Sequence, residues 1–144
     1  MIRRMTAADL EQVAELEQVC FSDPWSYRQL EEGLPAVYDA YFVAVQEERV
    51  QGYAVLRVLA GEGEIQRIAV LPACRKLGTG RELMAAMATY ARAKETFSLS
   101  LEVRDSNLAA RNLYESYGFR ATAIRKDYYR NPVEDAIIMW RHED

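Results

Sequence analysis

The sequence predicts an α/β fold, a mixed sheet flanked by helices. Three observations carry the prediction. Alternating and helical apolar periodicities succeed one another in the order β-α-α-β-β-β-α-β-α-β-β. Glycine, proline and acidic turn residues punctuate that order with no repeat, linker or low-complexity stretch between them. Half of the 144 residues are hydrophobic and 28% are charged, enough apolar surface to bury one core. One domain over residues 1–144 is therefore expected.

Ile2 to Met5 reads as a short first strand. Thr6 is a good N-cap, and Leu10, Val13, Ala14, Leu16 and Glu17 continue at helical spacing to an end near Phe21. Ser22-Asp23-Pro24-Trp25 breaks that helix, and Ser26 with Gln29 forms a capping box for a second, short one. Tyr41 to Val45 and Gln51 to Leu59 read as a hairpin turned by Glu47-Glu48-Arg49. After a turn at Gly61-Glu62-Gly63, Glu64 to Leu71 forms the next strand, stopped by Pro72. A helix then carries Leu83, Met84, Met87, Ala88 and Ala91 on one face. Phe97 to Val103 is a strand, Ser106 caps a further helix, and Gly118 ends it. Phe119 to Lys126 and Ala136 to Trp140 are the last two strands.

Composition excludes several function classes. With 18 Lys and Arg against 22 Asp and Glu, the formal charge is −4, without the excess of positive charge that grips a nucleic-acid backbone. Two cysteines, Cys20 and Cys74, and the lone His142 near the C-terminus do not make a metal site, so none is expected. The N-terminus has two arginines but no apolar run after them, and no segment is long and apolar enough to span a membrane. These readings point to a cytoplasmic monomer with reduced thiols and no direct contact with nucleic acid or membrane.

The most informative segment is Ile68-Ala69-Val70-Leu71-Pro72 followed by Arg75-Lys76-Leu77-Gly78-Thr79-Gly80. A strand delivers the chain to a turn with two glycines, and the turn opens a helix. Such a turn brings backbone N–H groups and the positive end of a helix dipole to one place, an anion cradle to which Arg75 and Lys76 add charge. A plain strand-to-helix turn that needs small residues is the alternative. A Walker loop is absent, and Leu83 stands where a dinucleotide fingerprint has its third glycine.

Arg-x-x-Gly-x-Gly after a strand and a proline resembles the acetyl-CoA pyrophosphate loop of the GNAT superfamily. The resemblance implies that Arg75, Lys76, Leu77, Gly78, Thr79 and Gly80 hold the pyrophosphate. It also implies that Ile68, Ala69 and Val70 offer backbone groups to the pantetheine and thioester. Leu101-Glu102-Val103-Arg104-Asp105-Ser106-Asn107, with Leu113, Tyr114, Gly118 and Phe119, narrows it to the ribosomal-protein-alanine acetyltransferases of the RimI type. Lys126-Asp127-Tyr128-Tyr129, Glu134 to Met139, and Phe21 to Ser26 extend it over nearly the whole chain.

The family's general base falls on Glu102. From the residues alone, Glu102 is either a carboxylate raised in pKa by burial between two helix layers or a surface carboxylate paired with Arg104. The general acid falls on Tyr114, otherwise a packed aromatic. Asn107 matches a residue that contacts the coenzyme, and otherwise caps a helix with Ser106. The implied reaction is direct attack of an α-amine on acetyl-CoA, with the N-terminal alanine of a small-subunit ribosomal protein as acceptor. An α-amine, with a pKa of about 7.7–8.0, asks less of a base than a lysine amine at about 10.4.

The acceptor peptide is expected between Trp25 and the loop after Tyr128 and Tyr129, unless these are core or edge aromatics. Glu31, Glu32, Glu134 and Asp135 would suit a basic peptide. Two departures from the family stand out. Arg67 replaces a small polar residue and would alter the acceptor site or pair with Glu102; the 130–133 connection is short. A lysine, polyamine or aminoglycoside acceptor is the rival within the superfamily. A non-catalytic acyl-CoA sensor, indifferent to Glu102→Gln and Tyr114→Phe, and a CoA-independent binding domain are the rivals outside it.

Overall fold

A computed structural model describes residues 1–142. The strands are β1 (Ile2–Arg4), β2 (Asp39–Gln46), β3 (Arg49–Leu59), β4 (Glu62–Val70), β5 (Ser98–Arg104), β6 (Arg120–Tyr129) and β7 (Glu134–His142). The helices are α1 (Leu10–Cys20), α2 (Tyr27–Gly33), α3 (Thr79–Ala93) and α4 (Leu108–Ser116), with short 3-10 turns before α1 and α3. This is the predicted order of elements. All seven strands join one sheet in the order β1-β2-β3-β4-β5-β7-β6. β4 and β5 run parallel, and the other neighbours run antiparallel.

The sheet buries both faces. Leu83, Met84, Met87 and Ala91 of α3 pack with Tyr114, Leu99, Leu101 and Val103 on one face. Leu10, Val13 and Leu16 of α1 and Leu30 of α2 pack with Tyr41, Val43, Tyr53 and Val55 on the other. No helix among the described residues is long and apolar enough to cross a membrane.

Element boundaries shift for local reasons. The expected turn at Gly61-Glu62-Gly63 lies at Ala60-Gly61, where both residues have positive φ (54° and 82°). A two-residue hairpin turn of that hand matches the twist of its strands and lets β4 begin at Glu62. Ser26 and Gln29 form the predicted capping box, with N–H to side-chain bonds of 3.1 and 2.8 Å. The cap of α4 is Asn107, not Ser106. Its side-chain oxygen accepts the Ala110 N–H at 3.2 Å, whereas the Ser106 N–H donates to Glu134 at 2.6 Å. β6 runs on to Tyr129 because the hairpin re-forms at Tyr129 and Glu134 after a bulge. Asp135 holds that bulge by accepting the Asp127 N–H at 2.9 Å and pairing with Lys126 at 3.3 Å.

Candidate active site

The parallel ladder between β4 and β5 stops at Ile65 and Leu101, although both strands continue. A bulge marks the same place. Val55 pairs with Arg67 and Leu56 with Ile65, so Gln66 is extra on β4. Beyond it the two strands part. The Val70 carbonyl accepts Arg75 Nε at 3.0 Å and so points away from β3. By the alternation of an antiparallel ladder, the N–H groups of Ile68 and Val70 face the open side as well.

At the end of β4 the chain enters the glycine loop. Gly78 has φ of +88° and is the N-cap of α3. The backbone amides from Lys76 to Arg81 donate to no described residue. A Cβ built on Gly78 meets nothing within 4 Å, so the concave side of the loop is open. Free amides, an open surface and the start of a 15-residue helix fit a diphosphate. Arg75 is turned back toward Val70, with Nη2 3.9 Å from Cys20 Sγ, which leaves the free amides as the loop's own anion-binding groups. Gly78→Ala places a side chain at positive φ, strained by roughly 1 kcal/mol. A rise in KM for acetyl-CoA of about fivefold or more is expected, with little change in KM for the acceptor. An unchanged KM for acetyl-CoA would show that the loop does not hold it.

Glu102 follows the last residue of β5 that pairs with β4, and Tyr114 lies in the packed layer on the other side of the sheet. Leu99, Leu101 and Val103 point into the layer of α3 and α4, which directs Glu102 and Arg104 to the other face. The Glu102 side chain is 30% exposed and lies 3.6 Å from Arg125 Nε. It is thus neither buried between helix layers nor paired with Arg104. The Tyr128 hydroxyl lies against the same carboxylate, and that contact raises the Tyr128 pKa. Tyr114 is buried against Phe119, with ring centroids 6.2 Å apart. Its hydroxyl makes no hydrogen bond among the described residues. Burial pushes its phenol well above the ordinary value.

On the Glu102 face, two segments wall a groove. Tyr128 and Tyr129 stack edge to face at 5.1 Å on the β6 side. Tyr129 is pushed up to about 12, by burial first and then by the Glu102 charge. Trp25 and Phe21 form the opposite wall, half-buried against the α1 and α2 core. Arg104 ties the walls together. Its guanidinium donates to the Arg130 and Pro132 carbonyls at 2.8 and 3.0 Å and to Ser22 Oγ at 3.1 Å. It also pairs with Glu134 at 3.2 Å and lies 4.6 Å above the Tyr129 ring.

Two expectations are corrected here. Arg67 pairs with Glu17 at 3.2 Å rather than with Glu102, because it lies against α1 and the turn that follows it. Glu134 and Asp135 are occupied by Arg104, Ser106, Lys126 and Asp127, so they are not free acidic groups waiting for a basic peptide. Glu32 likewise pairs with Arg28 at 3.0 Å. Sequence reasoning put Glu17 on the apolar face of α1 without giving it a role, and missed Arg125 altogether. Glu17 falls on the buried face of α1 with Leu10, Val13 and Leu16, and a carboxylate there was the available signal.

Residues 10–119 match the acetyltransferase (GNAT) family. A Bacillus subtilis protein named putative ribosomal protein bS18-alanine N-acetyltransferase is 34% identical over 143 residues, covering 96% of this chain and 93% of its own length. The ribosomal protein bS18-alanine N-acetyltransferase of Haemophilus influenzae is 32% identical over 142 residues, covering 96% of each. The crystal structure of the ribosomal-protein-S18-alanine N-acetyltransferase from Escherichia coli superposes with a TM-score of 0.90 at 32% identity, covering 99% of this chain and 92% of that one. The chain therefore belongs to the acetyltransferase (GNAT) family and is an acetyl-CoA-dependent N-acetyltransferase.

Proposed function

We propose that this enzyme acetylates the N-terminal α-amine of a protein, the acceptor being the N-terminal alanine of the small-subunit ribosomal protein bS18. The observation that carries the reading is Glu102 at the point where β4 and β5 part, with Tyr114 in the layer on the opposite face. The full-length similarity to proteins named for that reaction supports it.

Acetyl-CoA supplies the acetyl thioester. The amides from Lys76 to Arg81 bind its diphosphate, with Arg75 bracing the loop on the Val70 carbonyl. Asn107 and the backbone of Ile68, Ala69 and Val70 flank the rest of the coenzyme. An N–H facing the gap stabilises negative charge on the acetyl oxygen. Trp25, Tyr128 and Tyr129 orient the acceptor peptide, and orientation provides much of the rate. Glu102 takes the proton from the amine, directly or across one water. Tyr114 gives its proton to the departing sulfur, and its raised pKa keeps that proton in place at neutral pH.

The test is a peptide beginning Ala-Arg, with an N-terminally blocked, lysine-containing peptide as control. Thiol release and peptide mass are followed. Acetylation of the free α-amine alone is expected, with the blocked peptide untouched. Modification of the lysine control instead would reject the α-amine assignment. A pH profile adds the sign for Tyr114. The rate should rise as the α-amine deprotonates near pH 8 and then hold to about pH 10, because the phenol stays protonated. A fall between pH 8 and 10 that vanishes in Tyr114→Phe would show an ordinary phenol at that position.

A further inference from the structure

Arg67 sits on the acceptor face of β4, one residue past the bulge. Its Cζ lies 4.0 Å from the Phe21 ring centroid and 4.5 Å from that of Trp25, so the guanidinium contacts both rings of one groove wall. Nη2 donates to Glu17 Oε1 at 3.2 Å and to the Asp23 carbonyl at 3.1 Å. Nε is buried with no partner. The Glu17 side chain is fully buried. It also accepts the Trp25 N–H at 2.8 Å and the Tyr53 hydroxyl. The guanidinium is thus held by two rings, a carbonyl and a buried carboxylate. Arg67 lies two residues past Ile65 and Glu102 one residue past Leu101, the pair at which β4 and β5 part, so both follow the end of the ladder on adjacent strands.

We propose that Arg67 is a specificity-determining residue: it fills the space between Phe21 and Trp25 beside Glu102 and restricts the acceptor's first residue to a small side chain. This rests on the α-amine acetylation proposed above and adds the residue that sets the size limit. A small residue at position 67 would leave an apolar slot open between the two rings. With arginine there, a Met or Leu side chain entering the slot must displace a cation from both rings and from a buried carboxylate. An aliphatic side chain gains too little in a pocket to drive that exchange.

The test uses the full chain and three peptides that differ only in the first residue: Ala, Met or Leu. The wild type should prefer Ala over Leu by about tenfold or more in kcat/KM. Arg67→Ala alone would leave Glu17 buried without its cation, so the slot is opened in a Glu17→Gln, Arg67→Ala double variant, with Glu17→Gln as control. The double variant should cut the Ala-to-Leu ratio to about threefold or less. Its KM for acetyl-CoA should stay within about twofold, an effect that general loosening of the fold would not give. An unchanged ratio in a folded double variant overturns the inference.

If the double variant does not fold, Arg67→Lys keeps the charge on Glu17 but withdraws the planar group from between the rings. The ratio should then fall about threefold, and no change overturns the inference. A wild type that binds acetyl-CoA yet leaves the Ala peptide unmodified overturns the α-amine reaction itself and this inference with it.

Discussion

Glu102→Gln is expected to lower kcat by roughly 100- to 10,000-fold while leaving the fold intact, the range over which positioned general bases act. The two halves of that expectation have separate causes. Chemically, the amide cannot take the amine proton, yet it keeps the shape of the carboxylate beside Tyr128. Structurally, the side chain is 30% exposed and its ion pair with the 55% exposed Arg125 is long, at 3.6 Å. An exposed pair contributes about 0–1 kcal/mol, so the melting temperature should move by less than about 4 °C. Steady-state rates with the Ala-Arg peptide and a thermal melt of the same preparation test both halves. A kcat within threefold of wild type would remove Glu102 from the role of base.

Glu17→Ala should have the opposite signature, a large loss of stability. Glu17 is fully buried on α1, and three groups converge on its carboxylate: Arg67, the Tyr53 hydroxyl and the Trp25 N–H. Truncation leaves the Arg67 guanidinium without its counter-charge and two polar hydrogens without partners. Breaking a buried pair in this way costs about 3–5 kcal/mol. In a domain of this size that corresponds to a melting temperature lower by roughly 10 °C. Glu17→Gln should lose less, since its amide oxygen still accepts. Chemical denaturation of wild type and both variants decides the matter. A cost below about 1 kcal/mol for Glu17→Ala would mean that the cluster contributes little to the folded state.

The order of elements was legible because each is announced by its own residues. Ser26 and Gln29 announce α2, Gly78 and Gly80 the start of α3, and Gly118 the end of α4. The glycine loop was legible for the same reason, since a local turn carries its own chemistry. What escaped was set by distant partners. Arg67 gives no sign in the sequence that it belongs to Glu17, 50 residues away, because the pairing exists only once β4 lies against α1. Asp135 reads in the sequence as an acidic group suited to a basic peptide, yet it holds the bulge that carries Tyr128 to Glu102. The extension of β6 was hidden because Lys126-Asp127-Tyr128 breaks the alternation that marks a strand. Glu102 shows the difference most clearly. Its face of the sheet followed from the alternation of β5, while its partner, Arg125, depended on which strand closes the far side of the sheet.

β6 lies at the edge of the sheet and joins it through β7 alone, and its residues from Arg120 to Tyr128 are exposed. Little apolar burial holds it beyond its backbone ladder. It is therefore the kind of segment that opens at a small fraction of the global unfolding free energy. Tyr128 and Tyr129 ride on this strand, whereas the glycine loop is anchored to α3, whose apolar face is sealed into the core. The two halves of the site thus belong to units of different local stability. The half proposed to meet the coenzyme is fixed with the core, and the Tyr128–Tyr129 wall proposed to meet the acceptor breathes with the rim.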